Sequence, residues 1–143
     1  MGTPPDGKYM TDIRTAAQSG IHALALNFGG WTNEFTRWEK VLDTIYSETA
    51  KYNNLQESCP IKLFISFDMT SVKDPSLITR LALKYQDHPA QLYVDGNKMM
   101  ISSFEDDNVN VNAFNWKTAV LDKIKAGLTG AELYIMPGSV VKD

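Results

Sequence analysis

The sequence predicts an α/β domain built on a parallel sheet. Three observations carry that expectation. Helix-like and strand-like stretches alternate along the chain, with strands recurring at roughly 35–40 residues. The strand-like stretches are near-continuous apolar runs, as expected where a strand is covered on both faces, and not strict alternations. Turn and cap residues stand between them: Gly20, Gly29-Gly30, Asp74-Pro75, Gly127 or Gly130, and Pro137-Gly138.

Residues 1–7 read as a flexible leader rich in Pro and Gly. A helix follows over 9–19, with Met10, Ile13, Ala16 and Ala17 on one face. Gly20 suits its C-terminal cap. A first strand is expected over 21–28 (IHALALNF). Thr32 or Asn33 can cap a long helix to about residue 51, with Phe35, Trp38, Leu42, Ile45 and Tyr46 as its apolar stripe. Residues 52–60 read as a polar connector closed by Pro60.

The second strand, 61–69 (IKLFISFDM), is the centre of the pattern. It ends on an acid, Asp68. Asp74-Pro75 opens the next helix, Pro being favoured at the first helical position, and Leu77, Ile78, Leu81 and Leu83 form its apolar side. A small hairpin is expected around Asp95-Gly96. Its second arm, 98–104 (KMMISSF), is the better central strand and runs into a second acid, Glu105. A helix over 114–126 with Trp116, Val120, Leu121 and Ile124, and a strand over 132–136, complete the order.

At 143 residues the chain is read as one domain or part of one. The net charge of −3 gives no electrostatic reason to expect nucleic acid as partner. No apolar run approaches a membrane span, and the polar N-terminus lacks the features of a signal peptide. The single cysteine, Cys59, has no Cys or His near it at ligand spacing. His22 and His88 form no metal pattern. Asp106, Asn108 and Asn110 echo a calcium loop, but Val111 replaces the needed Gly and Lys117 the needed Glu, so no metal is expected. Phosphate-loop and dinucleotide fingerprints are absent, and no cofactor is expected.

Carboxylates at the C-terminal mouths of parallel strands sit where such folds bind ligands, which singles out Asp68 and Glu105. The competing reading for Asp68 is local: an acid that binds nearby loop amides or caps the turn. Asn27 ends its strand on the same side as Asp68. Its amide suits either a ligand hydroxyl or the Gly29-Gly30 turn. Ser102 and Ser103 read as small residues packing near the mouth.

Three segments together, GIHALALNFGG at 20–30, KLFISFDM at 62–69 and HPAQLYVDGNKMMISSFE at 88–105, resemble glycoside hydrolase family 71, the fungal α-1,3-glucanases or mutanases. The family pattern departs from this chain at four places. His22 stands for Asp, Asn97-Lys98-Met99 for Gly-Lys-Pro, Ser103 for Thr, and Asp106 for Gly. The resemblance covers residues 8–137 and implies about four units of a (β/α)8 TIM-type barrel, a single partial barrel over 1–143 without the family's later Trp-Asn-Asp-Tyr-Gly-Glu-Ser segment.

The resemblance implies hydrolysis of α-1,3-glucan, an extracellular or cell-wall setting, and no cofactor. It gives Asp68 and Glu105 as candidate catalytic acids. Asn27, Trp31, Asp68 and Glu105 are candidate substrate contacts, Trp31 by stacking on a sugar face. The alternative is a non-catalytic glucan-binding or structural half-barrel. Four strands cannot close a barrel that takes eight. Helices wound as in the barrel would cover only the outer face, so self-association or pairing with another half-barrel is expected.

Overall fold

A computed structural model describes residues 7–29, 34–104 and 115–138. The elements run α1 (Lys8–Gln18), β1 (Ala23–Phe28), α2 (Phe35–Leu55), β2 (Lys62–Asp68), α3 (Pro75–Lys84), β3 (Tyr93–Val94) and β4 (Lys98–Phe104). A π-helical turn, Lys117–Leu121, then runs into α4 (Asp122–Gly127), and β5 (Glu132–Gly138) follows. β1, β2, β4 and β5 pair side by side, all parallel, and the two-residue β3 is antiparallel to β4. The α/β class and the partial-barrel winding expected from the sequence are both present.

Local chemistry sets several boundaries as expected. The Asp74 carboxylate accepts hydrogen bonds from Ser76 N at 2.9 Å and Ser76 Oγ at 2.6 Å, capping α3 ahead of Pro75. Asp95 (φ 47°) and Gly96 (φ 85°) take the left-handed conformations that the β3–β4 turn requires. Other boundaries moved. β1 starts at Ala23, two residues late. Thr32 and Asn33 lie outside the described residues, and Glu34 holds the cap position of α2 without a capping hydrogen bond.

α2 also continues through Leu55, although 52–60 reads as a connector. Tyr52 follows Ile45 and Thr49 on the same helical face and is 1% exposed, so its burial outweighs the weak helix propensity of Asn53 and Asn54. Asn53 then clamps the start of β2: its Nδ2 donates to Ile61 O at 2.8 Å, and its Oδ1 accepts from Ile61 N at 2.9 Å.

Parallel pairing in register sorts the strand residues onto two faces. Leu24, Leu26 and Phe28 share one face with Leu63, Ile65, Phe67, Met99, Ile101, Leu133 and Ile135. All of them join the main core with Ile13 and Ala17 of α1, Leu42 and Tyr46 of α2, Ile78 and Leu81 of α3, and Val120 and Ile124 near the C-terminus. Full burial of each such side chain is worth about 1.5–3 kcal/mol. Helices therefore cover this face. Among the described residues no helix covers the opposite one, where Ala25, Asn27, Phe104, Tyr134 and Met136 are exposed.

β2 and β4 pair directly only from Ser66 onward. Nearer their starts the segment around Gln91 lies between them, with Leu63 N donating to Ala90 O at 2.7 Å and Leu92 N to Leu63 O at 2.8 Å. Gln91 is buried and fully used: Nε2 donates to Leu92 O and Met100 O, and Oε1 accepts from Tyr46 OH at 2.8 Å. Tyr46 in turn stacks on Tyr85 with ring centroids 4.0 Å apart, and burial raises its phenol pKa above the ordinary range.

Outside the core, α2 and α3 are tied by charge. Arg80 grips both oxygens of Glu39 at 2.8 and 2.9 Å, and Lys84 bridges Glu39 and Asp43. The Arg80 hydrogen bonds, helped by Lys84, hold the Glu39 carboxyl down to about 2.

Two outcomes follow for stability. Gln91→Leu should cost about 2–3 kcal/mol in denaturant unfolding, because it strands the Tyr46 hydroxyl and removes the amide donor from Met100 O, while Leu92 O keeps the Met100 N–H. Tyr46→Phe should cost less, and the double variant less than the sum. For Glu39, whose folded pKa is depressed, the stabilisation is present above about pH 4.5 and lost as pH falls through about 2. Glu39→Gln should therefore cost about 0.5–1 kcal/mol at neutral pH, and its difference from wild type should vanish in melts taken stepwise from pH 5 to 2.

Candidate functional site

The uncovered face is ordered in rows from one end of the strands to the other. Ala23, Lys62, Lys98 and Glu132 form the first row. Ala25, Phe64, Met100 and Tyr134 form an apolar second row, in which Phe64 and Met100 are 7% and 8% exposed. Asn27, Ser66, Ser102 and Met136 form a more polar third, with Ser66 Oγ 3.4 Å from Ser102 Oγ. Asp68 and Phe104 pair in the last, at the C-terminal mouth. Ligands of parallel α/β sheets bind at this end.

Thr70 and Gly29 position Asp68. The residue closes β2 and turns its side chain to the uncovered face, in line with Ser66. Oδ1 accepts from Thr70 N at 3.0 Å and from Thr70 Oγ1 at 2.6 Å, an Asx-type turn that fixes the carboxylate plane. Oδ2 makes no hydrogen bond among the described residues. Gly29, past the end of β1, supplies the room: a Cβ there would sit 2.4 Å from Asp68 Cβ and 2.9 Å from Oδ2. The Phe28 ring beneath is locked between Phe35, at 5.8 Å, and Phe67, at 6.2 Å.

Asn27 and Asp68 lie on the same face at the same end, as the strand endings imply. Asn27 is exposed and makes no hydrogen bond to the turn after β1 among the described residues. The local reading of Asp68 is half realised, since one of its oxygens serves Thr70. Glu105 and Trp31 lie outside the described residues. β4, which leads into Glu105, is parallel to β2 with Phe104 opposite Asp68. Ser102 and Ser103 are buried, as small residues near the mouth should be.

Two features were missed. The Thr70 partner was legible in the Asp-Met-Thr spacing, which is that of an Asx turn. Phe104, 57% exposed beside Asp68, was not, because an aromatic in an apolar run reads as core.

A second depression, of about 380 Å³, lies between α2 and α3 and holds Glu39 and Asp74. Both acids are committed there, Glu39 to Arg80 and Lys84, Asp74 to the α3 cap. It offers no free carboxyl pair. No cluster of three metal-ligating side chains occurs among the described residues, and no described helix is long and apolar enough to cross a membrane.

Gly29→Ala tests how the mouth is built. The added methyl must push the Asp68 side chain or the strand aside, so unfolding should be easier by about 1–3 kcal/mol. An unchanged denaturation midpoint would mean that Asp68 is not held against this glycine.

No curated protein and no solved structure is similar enough to the chain to match it. The family model of glycosyl hydrolase family 71, however, matches residues 5–139. That match takes in every described strand and the Asp68 mouth, and by it the chain belongs to glycosyl hydrolase family 71.

Proposed function

We propose that the chain acts on α-1,3-glucan, a polysaccharide of fungal cell walls, outside the cell, and that the Asp68 mouth is the substrate side. The family match carries the glycosidase part of this reading. The substrate rests on the resemblance of the three strand segments to the fungal α-1,3-glucanases. Glycoside hydrolysis uses two carboxyl groups, one protonating the leaving oxygen and one acting as base or nucleophile. Asp68 supplies one, with Oδ1 held by Thr70 and Oδ2 left for substrate or water. Glu105, the residue that follows β4 in the sequence, is the other candidate. Asn27 offers amide donors and acceptors to sugar hydroxyls two residues deeper on the neighbouring strand, and Trp31 offers a ring for stacking.

A second reading, glucan binding without turnover, is favoured by the Thr70 clamp, since a carboxylate that serves a turn can be structural. In either reading a complete barrel around the mouth needs four more strands.

Release of reducing sugar from α-1,3-glucan separates the two readings. If the enzyme reading holds, Asp68→Asn and Glu105→Gln should each lower turnover by at least ~100-fold. Asn at position 68 still accepts from Thr70, so the fold is kept. Sedimentation of the chain with insoluble α-1,3-glucan but no release, in wild type and both variants alike, would establish the binding reading. Neither binding nor release would overturn both.

A further inference from the structure

Phe104 stands where packing alone would not put it. It closes β4 and is the most exposed of the large hydrophobic side chains among the described residues. Phe28 and Phe67, the aromatics that serve the core, are 1% and 0% exposed on the helix-covered face. Single exposed apolar residues are ordinary, and Leu55 at the end of α2 and Ile21 ahead of β1 are of that kind. Phe104 differs from them in its neighbours.

We propose that Phe104 is the platform of a sugar subsite at the Asp68 mouth. Its ring stacks on the C–H face of one glucose residue while Asp68 Oδ2 takes a hydroxyl of the same residue. The inference rests on the reading of this mouth as the substrate side.

Register places the two groups together. Phe104 is the parallel partner of Asp68, so both side chains leave the sheet on the uncovered face. Adjacent strands lie ~4.8 Å apart, about the span of one pyranose ring. The pair is fixed through the backbone, with Met69 N donating to Phe104 O at 2.8 Å. On the other side, the register partner of Phe104 in β5 is Gly138, which has no side chain. Ser102, two residues deeper on β4, is small. The ring therefore stands beside a carboxylate with no bulky partner in its own row.

The chemistry of a sugar calls for this combination. A glucose residue carries its hydroxyls around the rim and ring C–H bonds on its faces. Taking it from water needs an apolar plane for the face and a few polar groups at the rim. An aromatic ring offers the negative face of its π-system to the C–H bonds. Asp68 offers Oδ2 at the rim, because Thr70 holds only Oδ1, at 3.0 and 2.6 Å. The exposed Asn27 amide lies one row deeper, on β1. Phe104 has no polar atom, so it adds affinity and fixes the plane of the sugar. Selection among hydroxyl arrangements falls to Asp68 and Asn27.

The test uses the whole chain and soluble glucose oligomers of α-1,3, α-1,4 and β-1,3 linkage. In Phe104→Trp the new indole reports on the position, read against wild type, whose Trp31, Trp38 and Trp116 set the background. Its emission should change saturably with the α-1,3 oligomer. By calorimetry, Phe104→Ala and Phe104→Leu should weaken that binding about tenfold, and Phe104→Tyr less than about twofold, since an aromatic plane and not apolar bulk is required. The denaturant midpoint should stay at the wild-type value throughout, because the ring is exposed. A response to another linkage and none to α-1,3 keeps the platform and overturns the choice of α-1,3-glucan. Undiminished affinity in Phe104→Ala or Phe104→Leu, for an oligomer that wild type binds, overturns the platform and leaves the substrate standing. An indole that responds to no oligomer overturns the platform too. So does a midpoint that falls in Phe104→Ala as it does for core truncations, for the ring would then serve packing.

Discussion

The parallel register of β1, β2, β4 and β5 is the constraint from which the rest follows. In a pleated strand the side chains alternate, and four strands paired without a slip leave every row on one face or the other. Leu63, Ile65 and Phe67 therefore meet the helices together with Leu24, Leu26, Met99 and Ile101. By the same rule Asp68, Ser66 and Asn27 must share the opposite face. A one-residue slip of β2 would bury the carboxylate under α2 and α3 and expose three of the best-buried side chains in the core. The hydrophobic core and the position of the candidate acid thus have one cause.

The Gln91 wedge maintains this arrangement where direct pairing fails. β2 and β4 diverge toward their starts, and a gap there would leave backbone groups unpaired in the core. Ala90 and Leu92 pair with Leu63, and the Gln91 amide fills the remaining positions while taking the Tyr46 hydroxyl. Tyr46 and Tyr85 carry the connection outward to Asp43 and the Arg80–Glu39 pair. A polar thread thus runs from the sheet to the helix surface, with each buried group partnered.

Much of this was legible in the residues. The alternation of elements, the cap at Asp74-Pro75 and the turn at Asp95-Gly96 are local, and local chemistry determines them. Asn27 and Asp68 could be placed together because strand ends point one way in a parallel sheet. What was hidden depends on contacts distant in sequence. The last turn of α2 forms because Tyr52 is buried, against the preference of two asparagines. The π-helical turn at Lys117–Leu121 carries no composition signal. The apolar runs suggested cover on both faces, yet LALNF alternates between helix contacts and open surface, since a run of apolar residues does not tell what lies over it. Gly29 read as a strand stop; its closer role, room for Asp68, needed the neighbouring strand.

The same physics bears on how a site can exist here. Catalytic carboxylates need fixed orientation and a dry wall on at least one side. The Thr70 turn and the Gly29 backbone fix Asp68 from one side. The second wall is not built from the described residues, for the face beyond Asn27 and Met136 is open. An acid on an open sheet keeps bulk water around it, and its interactions are screened accordingly. A water-excluding wall on that side must therefore come from parts of the fold other than the described residues before the Asp68 carboxylate can act in a dry pocket.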